Sequence, residues 1–483
     1  MHLHFAKALL PEGWRSDVVV TISGGTISTV TAGPPPPPDA GRFGGIAIPG
    51  LANVHSHAFQ RAMAGLAERQ GAGREAAEDS FWTWREVMYR FLAQLTPDDI
   101  EAVAALTYME MLEAGFTRVG EFHYLHNAPD GTRYADPAET AGRIAAAASL
   151  TGIGLTLLPS FYAHGGCGGR PPMPGQARFL SDLDSFARLM EASHAHIASL
   201  DGAKLGIAPH SLRAVDAPEL GALVAAFPDG PIHIHAAEQE KEVEECLAWS
   251  GARPVQWLLD HAPVDERWCL IHCTHMTPAE TVRLARSGAV AGLCPVTESS
   301  LGDGIFPGTA FLGSGGGMAI GSDSNVRIAA NEELRTLEYS QRLRDRRRNR
   351  LGSPARSTGR VLFDAALSGG RQALGLKRGQ TPRADAAMKA PPLEARGLTP
   401  VPSPLAGLAP GEPADIVVLD ADDPALVGRS GDTALDAWIF AAGPVVRHVF
   451  ASGRHLVRDG RHIKADAIRA RYAAVATRLL EEQ

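Results

Sequence analysis

Two histidines one residue apart, His55-Ser56-His57, end a short apolar run that begins at Leu51. Side chains alternate along a strand, so both imidazoles project to the same face. Two imidazoles at that spacing can share one metal ion. Alone the pair is a weak sign, because a polar strand end satisfied by hydrogen bonds looks the same. His2-Leu3-His4 repeats the spacing with nothing else to recommend it. Repetition elsewhere raises the odds: His210, His233 with His235, His272 with His275, and Asp323 each sit in or at the end of another short apolar run.

For these residues to meet, their runs must be neighbours in one sheet. Eight runs read as strands: LANVHSH, TRVGEFHY, GLTLLPSFY, KLGIAPHS, PIHIHAAE, WCLIHCTH, AVAGLCP and GMAIGSDS. Helix starts lie between them. Thr96-Pro97-Asp98-Asp99 places a cap, a first-turn proline and two acids before a periodic stretch that Gly115 stops. Asp216-Ala217-Pro218-Glu219 and Thr277-Pro278-Ala279-Glu280 open helices in the same way, and Gly152 ends one. Apolar strands alternating with helices predict an α/β fold, a closed parallel (β/α)₈ barrel. All C-terminal strand ends of such a barrel converge on one mouth, where catalytic groups lie. The scattered histidines and Asp323 are then expected to meet there.

The rest of the chain sets the frame. Its 483 residues allow one large barrel plus a satellite unit. Residues 1–48 read as N-terminal strands and 49–374 as the barrel. Residues 375–410 read as a Pro/Gly-rich linker. Residues 411–483 read as further strands and a terminal helix. Neither end can complete a sheet alone, so a small β-sandwich built from both termini is expected. The Pro34 to Pro38 run reads as a loop at a seam, and the Arg342 to Arg350 cluster as a solvated helix face.

A net charge of −8 argues against nucleic acid as partner. No apolar run approaches the ~18 residues of a membrane helix. The N-terminus lacks a signal-peptide layout, and five cysteines are too few for a disulfide framework, so a cytoplasmic location is expected.

The constellation resembles the amidohydrolase superfamily over nearly the whole chain. It has an HxH after strand one, a His in strand five, a His after strand six and an Asp after strand eight. Several segments resemble one member family, the formimidoylglutamate deiminases of histidine degradation. They are PGLANVHSHAFQRAMAGLAE (Pro49 to Glu68), SFWTWREVMYR (Ser80 to Arg90), GEFHYLH (Gly120 to His126), PHSLRAV (Pro209 to Val215), HIHAAEQ (His233 to Gln239) and ESSLGDGIFP (Glu298 to Pro307). Small departures fall at Val296 and Ser299.

The resemblance implies metal ligands His55, His57, His235 and Asp323. His235 is preferred over His233 because Glu238 follows it by three, as in the family's H-x-x-E; His233 reads as a buried hydrogen-bonded residue. Two-metal members carry a lysine in strand four, whereas here Lys204 lies at the strand's start and His210 at its end. One divalent ion per subunit is therefore expected, zinc first, although ligand types alone do not separate it from iron or manganese.

The implied chemistry is attack of zinc-activated hydroxide on the formimidoyl carbon of N-formimidoyl-L-glutamate, giving N-formyl-L-glutamate and ammonia. Asp323 would take or orient the water proton, Glu238 would shuttle a proton to the leaving nitrogen, and His272 would hold the attacking oxygen, with His275 its competitor. Arg85 and Arg213 match the family's substrate arginines, fitted to two carboxylates. Gln60, Tyr124 and His210 would add polar contacts. Phe81, Trp82 and Trp84 would pack a lid, and Cys269 and Cys273 would be structural. A homodimer is expected by analogy. Two other readings compete. An aminohydrolase of a purine, pterin or other cyclic amidine would share the metal set but need no arginine pair. A non-catalytic scaffold on the same fold would usually have lost metal ligands, and here they are retained.

Overall fold

Short β-branched and apolar runs build two sheets in the computed structural model, which describes residues 1–68, 80–376 and 407–481. The N-terminal strands are β1 (His2–Leu10), β2 (Gly13–Ser23), β3 (Thr26–Ala32) and β4 (Gly41–Pro49). Next come β5 (Leu51–Ser56), β6 (Phe116–His123), β7 (Gly154–Phe161), β8 (Lys204–Leu205) and β9 (Ala208–Pro209). They are followed by β10 (Ile232–Ala236), β11 (Trp268–His272), β12 (Val290–Leu293) and β13 (Gly317–Ile320). The C-terminal strands are β14 (Ile416–Leu419), β15 (Val446–Ala451), β16 (Arg454–Arg458) and β17 (Arg461–His462).

Strands β5 to β13 pair in parallel, in the order β10-β11-β12-β13-β5-β6-β7-β8, with β9 also on β7. The segment from Ile207 to Ser211 closes the ring against β10: His233 N–H donates to Ile207 O at 3.0 Å and His235 N–H to His210 O at 3.1 Å. Strand four is the departure from the even runs expected. It is split into β8 and β9, because Pro209 has no N–H to give and Gly206 is so crowded that a Cβ would meet Pro231 O at 2.4 Å. Lys204, in β8, is exposed.

Helix starts fall where the caps place them. Thr96 accepts from Asp99 N–H at the head of the helix Pro97–Glu113, and Asp216 and Thr277 do the same for Ala217–Ala226 and Pro278–Ser287. The helix Thr358–Ala373 plugs the N-terminal end of the barrel. Ala373 O lies 2.7 Å from His233 Nε2, and Leu374 O accepts from Thr156 Oγ1 at 3.1 Å. His233 is thereby engaged by the helix end, whose Ala373 and Leu374 join a separate core with Val54, Ile271, Val290 and Ala319.

The two chain ends meet in one eight-stranded sheet, ordered β17-β16-β15-β14-β4-β1-β2-β3. Only β1 and β4 pair in parallel. The sheet curls until the Gly24-Gly25 turn meets the Ser452-Gly453 turn, with Ala414 bonded to both Gly25 and Gly453. Inside the curl lies a second core of Phe5, Val18, Val20, Ile416 and Phe450. The Pro34 to Pro38 run connects β3 to β4, within this sheet and not at its seam with the barrel.

The helix Ala330–Asp345 ends inside the arginine cluster. Arg342 pairs with buried Glu338, Arg344 and Arg350 pair with Asp345, and Arg346, Arg347 and Arg348 are exposed. The expected linker at 375–410 lies mostly outside the described residues. No described helix is long and apolar enough to cross a membrane.

Candidate metal centre and active-site cavity

Three imidazoles and one carboxylate converge at the C-terminal mouth of the barrel. His55 Nε2 lies 3.1 Å from His235 Nε2 and 3.3 Å from Asp323 Oδ1, and His57 Nε2 lies 3.4 Å from the same oxygen. All four residues are at most 5% exposed. The backbone holds them in place: Asp323 N–H donates to His55 O at 2.9 Å and His57 N–H to Asp323 O at 3.0 Å. The Asn325 amide bridges Ser56, His57 and Asp323 from behind. Ala237, His272 and Asp323 all have left-handed backbone, with φ of 52°, 69° and 46°. Such strain in non-glycine residues persists only where surrounding structure over-determines it, as at functional sites.

The donor set fits a divalent ion. His57 Nδ1 meets Phe122 O at 2.8 Å and His235 Nδ1 meets His210 O at 2.8 Å, which places their protons on Nδ1 and leaves both Nε2 atoms as acceptors. Burial first, then neighbouring imidazoles, holds His55 and His235 well below the usual histidine range. Burial also lowers His57, against the pull of Asp323. Neutral imidazoles are the form that ligates.

Around this cluster lies a cavity of about 240 Å³ lined by Gln60, Arg85, Tyr124, His210, Arg213 and Glu238, among others. Gln60 Nε2 donates to the Tyr124 hydroxyl at 2.9 Å, and Gln60 Oε1 is buried without a partner among the described residues. His210 Nδ1 rests 3.1 Å from Ser211 Oγ. Arg213, 7% exposed, reaches Glu238 Oε2 at 3.4 Å. Arg85 lies half-buried with its guanidinium carbon 4.5 Å from the Trp82 ring centre, and its Nε has no hydrogen-bond partner among the described residues. Phe81, Trp82 and Trp84 line the same cavity.

Glu238 stands just after β10 on a loop tied by Glu242, whose carboxylate accepts from the Ala237 and Glu238 N–H groups. Burial raises the Glu238 carboxyl above the ordinary range, and His272 and Arg213 oppose that rise. His272 Nε2 faces Glu238 Oε1 at 3.8 Å and Asp323 Oδ2 at 3.9 Å. Its competitor His275 points elsewhere, with Nε2 2.8 Å from Asp303 O. His4 lies in the terminal sheet, near Asp17. Cys269 and Cys273 are fully buried, and burial pushes both thiols up.

Several charged residues near the site escaped the sequence reading, among them Lys241, Arg170, Glu298 and Glu242. Lys241 and Arg170 line the cavity, with Lys241 Nζ 4.4 Å from the Trp82 ring centre. Glu298 lies against His272, and Glu242 under the Glu238 loop. Lys241 could have been found from its place three residues beyond Glu238. Glu298 carried no signal beyond its place in a family-like run.

This fold and mouth define a class of metal-dependent barrel hydrolases, and residues 46–359 match the model of the amidohydrolase family, to which the chain belongs. Residues 1–42 match the N-terminal domain of the formimidoylglutamate deiminase HutF. The chain is 50% identical to the formimidoylglutamate deiminase of Pseudomonas aeruginosa, covering 93% of this chain and 92% of that one. It superposes on the crystal structure of an amidohydrolase from Brucella melitensis with a TM-score of 0.90 at 49% identity, covering 99% of each. A more distant relative is the 5-methylthioadenosine/S-adenosylhomocysteine deaminase of Natronomonas pharaonis, 27% identical over 70% of each chain.

Proposed function

We propose that this chain hydrolyses N-formimidoyl-L-glutamate to N-formyl-L-glutamate and ammonia, as a step of histidine degradation. The observation that carries the reading is the cavity wall. Two arginines, Arg85 and Arg213, face a space that ends on the His55–His57–His235–Asp323 cluster. A dianionic substrate entering a low-dielectric mouth needs cationic partners, because buried unpaired carboxylates are costly. The 50% identity to a deiminase of that name supports the same substrate.

His55, His57, His235 and Asp323 would hold one divalent ion, and we assign zinc on the three imidazoles and one carboxylate. When bound, such an ion makes water a competent nucleophile near neutral pH. Asp323 accepts the proton of the attacking water. Glu238, which burial keeps easily protonated, delivers a proton to the departing nitrogen. His272 Nε2 faces both carboxylates and holds the oxygen that attacks. Arg85 and Arg213 take the two substrate carboxylates, and Gln60, Tyr124 and His210 orient the chain between them.

A cytoplasmic location belongs to the same proposal, supported by five buried free cysteines. So does a homodimer, by analogy with barrels of this type and readable by sedimentation.

Ammonia release from N-formimidoyl-L-glutamate, measured beside guanine and cytosine with the zinc-loaded enzyme, tests the reading. Turnover of N-formimidoyl-L-glutamate alone is expected. Preference for a ring substrate would replace the proposal with an aminohydrolase of cyclic amidines.

A further inference from the structure

Several buried acids near the site have no part in the reaction above, and Glu298 is the one of them in contact with His272. Glu298, 4% exposed, sits on the short helix Pro295–Leu301 that follows β12. Its Oε1 accepts from the Cys294 N–H at 2.9 Å and lies 3.2 Å from His272 Nδ1. The other ring nitrogen, His272 Nε2, is buried without a hydrogen-bond partner among the described residues and faces Glu238 and Asp323. One edge of the imidazole is anchored, and the opposite edge points at the two acids to which the reaction assigns its proton transfers.

The support behind Glu298 is rigid. Val296 N–H donates to Glu333 Oε2 at 3.0 Å, the Thr297 hydroxyl donates to Ser322 O at 3.1 Å, and Asp303 N–H donates to Glu298 O at 2.9 Å. The helix is therefore tied to the β13 end that carries Asp323. The backbone of His272 is held by its surroundings in a left-handed conformation, and the contact the structure gives its Nδ1 is with Glu298 Oε1.

We propose that Glu298 is a positioning residue that acts through His272, accepting its Nδ1–H and so keeping Nε2 aimed between Glu238 and Asp323. The inference rests on the role given to His272 above. The bland alternative is local: Glu298 accepts the N–H of the residue that caps its own helix, and substitution would then loosen that helix and nothing else. A positioned ring and a loosened helix differ in what they change. The first alters the chemical step alone; the second alters stability, with effects that do not depend on His272.

The test uses zinc-loaded full-length enzyme and the variants E298Q, E298A, H272A and E298A/H272A. Glutamine keeps an oxygen where Nδ1–H needs it, so E298Q should hold kcat within a few-fold of wild type. E298A should lose about 10- to 100-fold in kcat, the usual range for a group that orients a site residue. Its KM should stay within roughly threefold and its zinc content at the wild-type value. In the H272A background E298A should add no further loss, because the partner it acts through is gone. Full additivity in the double variant would overturn the proposal. So would an unchanged kcat in E298A, or an E298Q as slow as E298A.

A readout without substrate separates this from the functional reading. The nitrogen-edited NMR spectrum should show a slowly exchanging, hydrogen-bonded Nδ1–H of His272 in wild type and E298Q, and a lost or rapidly exchanging one in E298A. If that pattern holds while N-formimidoyl-L-glutamate is not turned over, the substrate assignment has failed and the positioning stands. If the Nδ1–H signal is the same in all three, the positioning has failed whatever the substrate.

Discussion

Arg213 and Arg85 are assigned the same kind of ligand, yet their surroundings give them different consequences when replaced by methionine. Arg213 is buried and already faces an anion, Glu238 Oε2, at 3.4 Å. At that distance and an effective dielectric of about 20, the attraction is of order 5 kcal/mol before the desolvation of both groups is subtracted. Removing one member of such a pair strands the other, at about 2–5 kcal/mol. As kcat/KM this is a fall of about 30- to 5,000-fold. For Arg213→Met the fall should appear in kcat as well as KM, because the Glu238 carboxyl loses its cation.

The direction of the pH effect follows. Burial already raises Glu238, and Arg213 works against that rise. Without Arg213 the carboxyl titrates higher still, so a smaller fraction is ionised at any given pH. Because Glu238 acts in its protonated form, the alkaline limb of kcat/KM should move to higher pH. Arg85 stacks on Trp82 in a half-buried position, and Arg85→Met should raise KM by about 1.5–3 kcal/mol, the worth of hydrogen bonds to charged groups. It should leave kcat and the alkaline limb alone. Ammonia release across pH 5–9, with zinc content measured in each sample, reads all of this. An Arg213→Met enzyme with unchanged kcat and an unmoved limb would refute a catalytic role for the Glu238 contact. Normal kinetics in both variants would remove the arginines from the site and bring back the cyclic-amidine reading.

Other expectations follow from the same geometry. His55→Ala or His235→Ala opens a four-donor set, so zinc and activity should be lost together; a variant retaining one equivalent of zinc with near-native turnover would end the ligand assignment. Glu238→Gln should keep its zinc but lose roughly 10²–10⁴-fold in kcat, the range for a general acid or base. Loss of metal there would instead make Glu238 a ligand. Glu121, fully buried beneath the HxH segment with Oε1 accepting from Ala58 N–H at 2.7 Å, is pushed up to about 8 by burial. A carboxyl raised in the folded state contributes stability below its ordinary range that is lost as pH rises towards 8, on the order of a few kcal/mol. Glu121→Gln should therefore flatten the fall in melting temperature between pH 4.5 and 8, and an unaltered slope would place the titrating group elsewhere.

The barrel was legible because its signals are local and repeated. Thr96, Asp216 and Thr277 cap the helices they were expected to start. Strand four was less legible. Its apolar run is continuous, but Pro209 and the crowding at Gly206 break the ladder, and neither has a period to detect. The chain ends joined in one sheet, as their incomplete strand sets required. The floor formed by Ala373 and Leu374 was invisible, since a helix end gives no sign that its last turn enters a barrel.

The cluster was legible for a further reason: metal ligands are few in type, and barrel strand ends converge wherever the strands fall in sequence. His55, His57, His235 and Asp323, separated by up to 268 residues, needed only that convergence to meet. Acids and cations that act on one another have no such shorthand. Arg213 and Glu238 come from different strand ends, and so do His272 and Glu298; each pair is 25 or 26 residues apart. Nothing in either segment marks its partner. The fold selects these contacts by where β9, β10 and β11 end and where the helix after β12 begins, and in the proposed reaction they decide how the His/Asp cluster is used. Arg213 sets the charge balance at Glu238, and Glu298 the aim of His272. Specificity for proton transfer in this mouth thus rests on pairs that only the closed barrel creates.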